Sequence, residues 1–407
     1  MRLLHCVNLE AVGGVEHQFL AFVRRSTEMM DLTHDVMLRG YAVHDSFRAE
    51  LNEYCDTIHF DRYRHGIHLP RKPAAVRRWH LKRILARSSA DLVVLWNGIA
   101  GHLETVRLIN DRPCVYWDRG SSWTAGSETR KAEVLARVPY AISNSTASQR
   151  MLELRWHYKG QLRVCRNALR PTVAGRTLSS RDQRPSKTLT IGVAARLVGL
   201  KGVALALHAL RHLHRQGIDA RLLIAGTGPA QASLQALVQQ LEIDDSVVFA
   251  GLVDDMTAFY SSIDCLLHLP LRESFGGVAL EAMACGCPVV ASGVDGLPEI
   301  VRHQETGWVL RPELDLQAYV ALGGSEVGLP PYMYDPYDDG LSPPRAVRPE
   351  AAAQAILDLT RDRARYRYLC EQARRVAYEV FDYDRHVAQV VAYFEDIVQG
   401  SSADTDR

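Results

Sequence analysis

Short apolar runs alternate with longer segments of helical periodicity through the first half of the chain. The apolar runs predict six strands, at residues 3–8, 34–38, 57–60, 92–97, 114–117 and 140–143. Two glycines follow the first run, and a helix is predicted from about residue 15 to residue 27. Strands that are apolar on both faces and separated by helices are typical of a parallel sheet covered on both sides. The pattern therefore predicts an α/β domain over residues 1–172.

A second alternating series begins at residue 188, after a segment, 172–187, that is polar and rich in Ser, Arg and Pro. That composition predicts an interdomain linker. The series itself predicts a second α/β domain over residues 173–380. Amphipathic helices are expected at residues 351–359, 363–379 and 385–398, and the last of them lies in a C-terminal segment, 381–407.

Residues 311–348 interrupt the second domain with many prolines and glycines. This composition argues against regular structure. Tyr332, Tyr334 and Tyr337 are expected to give the segment an amphipathic surface. A lid over an acceptor, an oligomer contact and an inert insertion are equal alternatives for its role.

Composition narrows the class of protein. Of 407 residues, 47% are hydrophobic and 23% are charged, as in a globular protein with room for two cores. The formal net charge of +1 gives no reason to expect a nucleic-acid partner. No apolar run reaches the roughly 18 residues of a membrane span. The N-terminus turns polar too quickly for a signal peptide, so a cytoplasmic protein is expected.

The 8 cysteines are scattered along the chain, several of them inside apolar strands. Such residues are expected to be small buried hydrophobes, reduced in a cytosolic compartment. Cys285 and Cys287 form only a C-x-C, without a second Cys or His pair at zinc-like spacing. The sequence therefore predicts no metal site and no cofactor.

Residues 271–292, LRESFGGVALEAMACGCPVVAS, carry the most specific chemistry. Glu273 lies on a predicted loop, Gly276 and Gly277 open a helix, and Glu281 lies about one turn into that helix. A helix N-terminus has partial positive charge and unpaired amides, which favour a phosphate. Carboxylates accept hydrogen bonds from sugar and ribose hydroxyls. This stretch has the groups to hold both halves of a nucleotide-sugar.

Two other turns carry groups suited to phosphate. Gly13 and Gly14 form a turn between the first strand and its helix, an arrangement that cradles phosphates but is a weak signal alone. Arg196 and Lys201 lie in RLVGLKG, between a strand and the next helix. A cation at a helix start opposes the helix dipole. A bound diphosphate would remove that penalty.

These motifs resemble those of the family 4 retaining glycosyltransferases of the GT-B fold. The resemblance rests on the Glu273-x7-Glu281 spacing, with FGG between and CGCPVVAS after, and on the RL-x3-KG pattern. It covers nearly the whole chain and is poor over residues 311–348. It implies two Rossmann-like domains that face each other across a cleft, with the C-terminal helix returning to the N-terminal, acceptor-binding domain.

The resemblance also implies a role for each motif. Arg196 and Lys201 would stabilise the departing diphosphate in place of a metal, and Glu273 would orient the donor sugar. These three are the expected catalytic residues, and Glu281 would hold the ribose hydroxyls. Further donor contacts are expected at Gly13, Gly14, Gly251, Leu252, Val253, Ser274, Phe275, Gly276 and Gly277.

The loop in RPCVYWDRGSSW departs from the resembled family. Family members commonly have His-Gly where this chain has Arg119-Gly120, and that His is thought to lie near the donor sugar. Asp118 and Arg119 are therefore candidates for holding the donor or the acceptor. An Asp-Arg pair that only fixes the loop is an equal alternative.

Residues 62–87 hold nine Lys or Arg, three His and no acidic residue. Clustered basic side chains are attracted to anionic headgroups. Contact with an anionic acceptor or membrane surface is one hypothesis for this basic segment, and a solvated face is the other. A clean amphipathic anchor is not predicted, because apolar and basic positions mix around the helix.

Together these observations favour a retaining, metal-independent glycosyltransferase. Its partners would be a nucleotide-sugar donor, with a UDP-sugar favoured and a GDP-sugar as the alternative, and a glycan or lipid-linked acceptor. Its expected setting is bacterial surface polysaccharide or lipopolysaccharide synthesis at the inner face of the membrane. Two rivals stay open: a sugar-nucleotide epimerase of the same fold, and a non-catalytic sugar-nucleotide-binding protein.

Overall fold

The protein consists of two compact units in the computed structural model. One comprises Met1–Arg166 with Tyr383–Arg407, and the other comprises Asn167–Asp382. The structure describes residues 1–64, 67–70, 72–109, 112–170 and 188–405. The predicted linker, 172–187, lies outside these described residues.

The N-terminal unit is built on a parallel sheet of seven strands in the order β3-β2-β1-β6-β7-β8-β9. Neighbouring strands pair in parallel register throughout. A short antiparallel pair, β4 with β5, lies outside this sheet. The strands are β1 (Arg2–Val7), β2 (Thr33–Leu38), β3 (Thr57–Phe60), β4 (Tyr63–Arg64), β5 (Ile67–His68), β6 (Leu92–Trp96), β7 (Cys114–Asp118), β8 (Tyr140–Ser143) and β9 (Gln161–Val164).

Helices follow most of these strands, as the alternating pattern predicted. Strands β6 and β7 are buried at every position, because helices cover both faces of the sheet. Ser145 caps the helix Thr146–Leu154 by accepting a hydrogen bond from the Ser148 amide at 3.0 Å. The helices are α1 (Gly14–Met29), α2 (Arg48–Tyr54), α3 (Ala74–Arg87), α4 (Leu103–Leu108), α5 (Glu128–Arg137) and α6 (Thr146–Leu154).

The C-terminal helix, Tyr383–Thr405, packs on α1 of the N-terminal unit. Phe394 meets Phe22 edge to face at 6.1 Å, and the Arg25 guanidinium donates to both carboxylate oxygens of Asp384 at 2.7 and 2.6 Å. The predicted return of this helix is confirmed. It completes the aromatic core around Trp117.

The C-terminal unit has a parallel sheet of six strands in the order β12-β11-β10-β13-β14-β15. Residue 188 was correctly placed at the start of a new series, because β10 begins one residue later. The two parallel α/β units confirm the predicted fold class. The strands are β10 (Leu189–Ala194), β11 (Ala220–Ala225), β12 (Val247–Gly251), β13 (Cys265–His268), β14 (Val289–Ser292) and β15 (Gly307–Leu310).

Helices cover this second sheet with their apolar faces. One hydrophobic core is filled by two helices that pack on each other, Val203–Arg215 and Pro349–Thr360. A second core is filled by the helices Gly277–Ala284 and Arg363–Glu379. The helices are α7 (Val203–Arg215), α8 (Gln231–Gln240), α9 (Met256–Ser262), α10 (Gly277–Ala284), α11 (Leu316–Ala321), α12 (Pro349–Thr360) and α13 (Arg363–Glu379), and the C-terminal helix is α14 (Tyr383–Thr405).

The prediction of no regular structure over residues 311–348 is wrong. The segment contains α11 and an antiparallel hairpin of β16 (Met333–Asp335) and β17 (Gly340–Ser342). Met333 is 3% exposed within the core. Tyr334 is also buried, and its hydroxyl donates to Asp339 at 2.9 Å. Burial of apolar side chains orders a hairpin that its composition argued against.

The cysteines of the described residues are free thiols, and all but the half-buried Cys55 are buried. In the part of the chain that the structure describes, each helix is too short or too polar to cross a bilayer.

Candidate nucleotide-sugar site

The C-terminal unit has a topological switch point between the neighbouring strands β10 and β13. From β10 the chain moves to β11 on one side, whereas from β13 it moves to β14 on the other side. The loops after the two strands therefore diverge and leave a crevice at the carboxyl edge of the sheet, where open α/β sheets bind ligands. Lys201 lies in the loop after β10, and Glu273 lies in the loop after β13.

Lys201 and Glu273 meet in this crevice. The Lys201 Nζ donates to Glu273 Oε2 at 2.6 Å, and the His268 Nε2 lies 3.6 Å from the same oxygen. Gly202 allows the approach, because it adopts a left-handed φ of +65° and an added Cβ would lie 1.9 Å from the Leu269 carbonyl oxygen. The sequence predicted both charged residues but not their pairing, and it gave no role to His268.

The groups of this cluster shift the pKa values of one another. Burial alone would raise the pKa of the Glu273 carboxyl, but the Lys201 ammonium and His268 outweigh it and hold that pKa well below its usual value. Burial lowers the pKa of His268 below its ordinary value of 6.5, although Glu273 opposes the change. Glu273 is therefore ionised at neutral pH, beside a neutral imidazole.

Asp295 fixes the loop that carries Glu273. It is 1% exposed, and its Oδ2 accepts from the Glu273 amide at 2.9 Å while its Oδ1 accepts from the Tyr334 amide at 2.8 Å. The Gly296 amide in turn donates to the Glu273 carbonyl at 3.1 Å. One buried carboxylate thus joins the Glu273 loop to the 333–342 hairpin.

The N-terminus of α10 opens beside this loop. Gly276 precedes the helix with a φ of +107°, and an added Cβ would lie 2.5 Å from Leu297 Cδ2, so glycine is required there for two reasons. Phe275 and Ser274 are buried, whereas nothing lies within 4 Å of where a Gly277 Cβ would be. The first-turn amides of a helix lack intrahelical acceptors, which suits them to an anion.

Glu281, in α10, is held by two residues that the sequence reasoning missed. The Arg170 Nη2 donates to Glu281 Oε1 at 2.6 Å, and the Tyr260 hydroxyl donates to Oε2 at 3.4 Å. Arg170 comes just before the predicted linker, where a polar residue carries no distinctive signal. Arg170 thus contacts one of the carboxylate oxygens that the predicted ribose contact would use.

The other predicted donor residues lie near the carboxyl ends of neighbouring strands. Arg196 follows β10 and is exposed. Gly251 ends β12 with a φ of +67°, Leu252 is 80% exposed, and Val253 is half-buried. Their carboxyl-edge positions agree with the predicted donor contacts, which remain predictions.

In the N-terminal unit, Gly13 and Gly14 also follow a switch point, between β1 and β6. Gly13 precedes α1 in an extended conformation with a φ of −162°, and an added Cβ would lie 2.7 Å from Glu16 Oε2. Gly14 is exposed. Both residues therefore lie at the start of a helix at the carboxyl edge of their sheet.

Asp118 is fully buried and bonded within its own unit. Its Oδ1 accepts from the Tyr116 hydroxyl at 2.7 Å and from the Ser122 amide at 3.1 Å. Its Oδ2 accepts from the Ser122 and Ser148 hydroxyls, each at 2.6 Å. These bonds, from three hydroxyls and one backbone amide, favour the loop-fixing alternative for Asp118.

Arg119 is also buried. Its guanidinium carbon lies 4.8 Å from the Trp96 ring centroid and 4.4 Å from that of Trp117. Burial lowers the pKa of Arg119 to about 10, so the side chain remains charged at neutral pH. Where the resembled family has a histidine, this chain places a cation against two indole rings.

Comparison with known proteins agrees with this geometry. Residues 176–322, which include Arg196, Lys201, Glu273 and Glu281, match the family described as glycosyl transferases group 1. The matched residues lie within the C-terminal unit of the chain.

Curated relatives match part of the chain. N-acetyl-alpha-D-glucosaminyl L-malate synthase of Bacillus anthracis is 32% identical over 182 residues, which are 45% of this chain and 39% of that protein. A putative colanic acid biosynthesis glycosyltransferase, WcaL of Salmonella typhimurium, is 32% identical over 145 residues, 34% of this chain and 36% of that protein. The chain thus spans less than two fifths of the length of these relatives.

A solved structure extends the likeness to the whole fold. HepE from Anabaena, in complex with UDP, superposes with a TM-score of 0.73 at 17% identity, covering 97% of this chain and 100% of that one. The fold is that of the GT-B glycosyltransferases.

Among the residues that the structure describes, no group of three or more His, Cys, Asp or Glu is placed to hold a metal ion.

Proposed function

We propose that the protein transfers a sugar from a nucleotide-sugar to an acceptor with retention of anomeric configuration. The observation that carries the proposal is the Lys201–Glu273 pair at the switch point of the C-terminal unit, beside the open N-terminus of α10. A cation and free helix amides suit a diphosphate, and a carboxylate suits sugar hydroxyls.

Lys201 acts on the leaving diphosphate. Its ammonium donates a hydrogen bond to Glu273, which fixes its position in the crevice. Arg196 follows β10 in the same loop, is exposed, and adds a second cation. Charge-assisted bonds to phosphate are strong where water is excluded. The two cations stabilise the charge that develops as the sugar–phosphate bond breaks.

The two glutamates hold different parts of the donor. Glu273 accepts hydrogen bonds from the donor sugar, with its backbone fixed by Asp295. Glu281 accepts from the ribose hydroxyls, which displace Arg170 from Oε1. The backbone of Phe275, Gly276 and Gly277 contacts the phosphate and sugar, and the amides near Gly251 frame the base. The UDP complex of HepE supports a UDP-sugar as the donor.

The reaction proceeds on one face of the sugar. The acceptor oxygen forms a bond to the anomeric carbon as the carbon–oxygen bond to the diphosphate breaks, and the leaving phosphate oxygen takes the acceptor proton. The electron pair of the broken bond stays with the diphosphate, where Lys201 and Arg196 balance it. The acceptor is a glycan or a lipid-linked sugar of bacterial surface polysaccharide synthesis, which the similarity to WcaL supports.

Product analysis with a panel of nucleotide-sugars tests this proposal. The expected result is slow hydrolysis of one nucleotide-sugar without acceptor, and faster release of nucleoside diphosphate when glycan acceptors are added. The anomeric configuration of the product, read by nuclear magnetic resonance, should equal that of the donor. Lys201→Ala should lower the rate by about 10²–10³-fold, whereas the matched surface variant Lys159→Ala should not.

Two results would overturn the proposal. An epimerised nucleotide-sugar formed without release of diphosphate would establish the epimerase alternative. Binding of nucleotide-sugars by the wild-type protein, without hydrolysis or transfer to any acceptor of the panel, would establish the binding-protein alternative. Circular dichroism of Lys201→Ala is the check that lost turnover does not reflect unfolding.

A further inference from the structure

The N-terminal unit contains a cavity of about 820 Å³ with a basic lining. Its wall is formed by the start of α3, by the residues around α4, by Tyr41 and by one residue of α5. The charged residues of the lining are Arg62, Arg77, Arg78, Arg130, Asp61 and Glu104. Four guanidinium groups thus meet two carboxylates. The volume lies within the range of small-molecule sites, about 300–1,000 Å³.

The two carboxylates balance only part of this charge. Arg78 Nε donates to Glu104 Oε2 at 3.1 Å, but the other oxygen of Glu104 accepts from Arg107, outside the lining, at 3.0 Å. Arg62 Nε lies 3.7 Å from Asp61 Oδ1, beyond hydrogen-bond distance. Burial raises the pKa of the Asp61 carboxyl, with Arg62 opposing the rise. The cavity therefore keeps an excess of positive charge.

One of these cations, Arg77, is held in place by hydrogen bonds. Arg77 donates from Nη2 to the Tyr41 hydroxyl at 2.7 Å and to the Leu69 carbonyl at 2.8 Å, which fixes the plane of its guanidinium. A fifth arginine, Arg39, reaches the wall at Gly101, where an added Cβ would lie 1.6 Å from Arg39 Nη2. A planar guanidinium held in place binds carboxylate and phosphate oxygens two at a time.

The cavity is distinct from the basic segment seen in the sequence. Arg130 lies in α5, far along the chain from residues 62–87, yet it lines the cavity. Lys82 belongs to the segment and to α3, but it is exposed and is absent from the lining. Arg83 lines a separate cavity of about 450 Å³ and stacks on Trp79. The cavity is therefore lined by only some arginines of the basic segment, together with Arg130 from α5.

We infer that this cavity binds an anionic group, a phosphate or a carboxylate, carried by the acceptor. The inference rests on the proposed transfer reaction and adds the chemical class of its acceptor. Arg62, Arg77 and Arg130 donate to the anion, while Arg78 stays paired with Glu104. An acceptor without negative charge would make no charge-assisted hydrogen bonds with these guanidinium groups.

Binding of glucose 6-phosphate to the full chain tests the inference. Calorimetry is carried out at low salt, with the donor site filled by whichever of UDP or GDP the protein binds, so that phosphate cannot occupy that site. Arg130→Gln and Arg62→Gln should each weaken binding roughly tenfold, the effect of one lost charged hydrogen bond. Lys82→Gln is the matched control, because it removes the same charge from α3 outside the cavity, and it should leave binding unchanged.

A second arm identifies the source of the anionic group. Vesicles of phosphatidylcholine with and without phosphatidylglycerol are offered to the same variants. A lipid headgroup is the source if vesicle binding requires phosphatidylglycerol, is lost in Arg130→Gln and is displaced by glucose 6-phosphate. That result supports the inference. Binding of glucose 6-phosphate that depends on Arg130, without such vesicle binding, supports it with a soluble sugar phosphate or acid.

Three outcomes would overturn the inference. The first is no binding of glucose 6-phosphate to the wild-type chain. The second is an equal loss in Lys82→Gln and Arg130→Gln, which would indicate bulk charge. The third is an acceptor KM that Arg130→Gln leaves unchanged once transfer is measured. Absence of any transfer, with Arg130-dependent binding intact, would instead refute the proposed function and leave the anion site standing.

Discussion

The Lys201–Glu273 pair should be worth more to folding than an equally short ion pair on the surface. The two side chains are only 23% and 16% exposed, and their bond measures 2.6 Å. Exposed pairs contribute about 0.2–1 kcal/mol, whereas breaking a buried pair costs about 3–5 kcal/mol. Since both groups retain some contact with water, we expect a coupling energy of about 2 kcal/mol.

A double-mutant cycle measures this coupling. The variants are Lys201→Met, Glu273→Gln and both together, and urea unfolding gives the free energy of unfolding of each. Each single variant leaves one buried partner without its counter-charge, so the double variant should be more stable than the sum of the single effects predicts. All three should lose turnover, because the proposed reaction uses both charges. Stability and activity should therefore separate in the double variant.

The surface pair Arg348–Glu313 provides the matched control. Its bond is 2.7 Å long, but its side chains are 55% and 56% exposed. The same cycle there should give a coupling of less than roughly 0.5 kcal/mol. Equal coupling for the two pairs would refute the argument that burial makes the Lys201–Glu273 pair strong. Normal turnover in Lys201→Met would refute its role at the diphosphate.

The same pair predicts a dependence of stability on pH. Glu273 has a pKa below its ordinary value of 4.5, so the folded state favours the ionised carboxylate. Its contribution is fully present above pH 4.5 and disappears as the pH falls from there towards the folded pKa. The difference in stability between wild type and Glu273→Gln should therefore shrink in acid. A difference that grows below pH 4.5 would show that the sign is wrong.

Three further predictions follow from the proposed site. Glu281→Gln should weaken the binding of free nucleoside diphosphate and of nucleotide-sugar alike, by about 1.5–3 kcal/mol for a lost charged hydrogen bond. Glu273→Gln should leave the affinity for free diphosphate almost intact. Calorimetric titration of both variants measures these affinities, and the reverse result would exchange the two roles. Turnover should survive excess chelator; a loss that magnesium or manganese restores would contradict the use of Arg196 and Lys201 in place of a metal. Asp118→Asn should lower the free energy of unfolding by about 1–3 kcal/mol, since it disturbs four buried hydrogen bonds, and donor affinity measured on the folded protein should not change.

The sequence predicted the parallel sheets well because their strands are buried on both faces. A run such as LVVLW in β6 is apolar at each position, and its burial depends little on which neighbours cover it. The loop and helix of residues 271–292 were equally accessible to prediction, because glycines and carboxylates mark their functional positions directly.

Other features depend on partners that are distant in the chain. Asp295 acts through Glu273 and Tyr334, which lie 22 and 39 residues away, and an Asp-Gly dipeptide by itself indicates only a turn. Arg130 becomes part of a basic cavity only when α5 packs near α4. The hairpin of residues 333–342 was missed for the same reason: its order comes from burial in the core of the C-terminal unit, which composition does not reveal.

Because Asp295 joins the Glu273 loop to the 333–342 hairpin, substitutions at residues that do not touch the donor should also lower turnover. A random-mutagenesis screen should recover substitutions in the 333–342 hairpin, because the amide of Tyr334 shares Asp295 with the amide of Glu273. A chimaera that replaces residues 311–348 by a shorter connection would keep both glutamates and both cations in its sequence. It would nevertheless lose the hydrogen bond from the Tyr334 amide to Asp295, so the loop that carries Glu273 should be less firmly held.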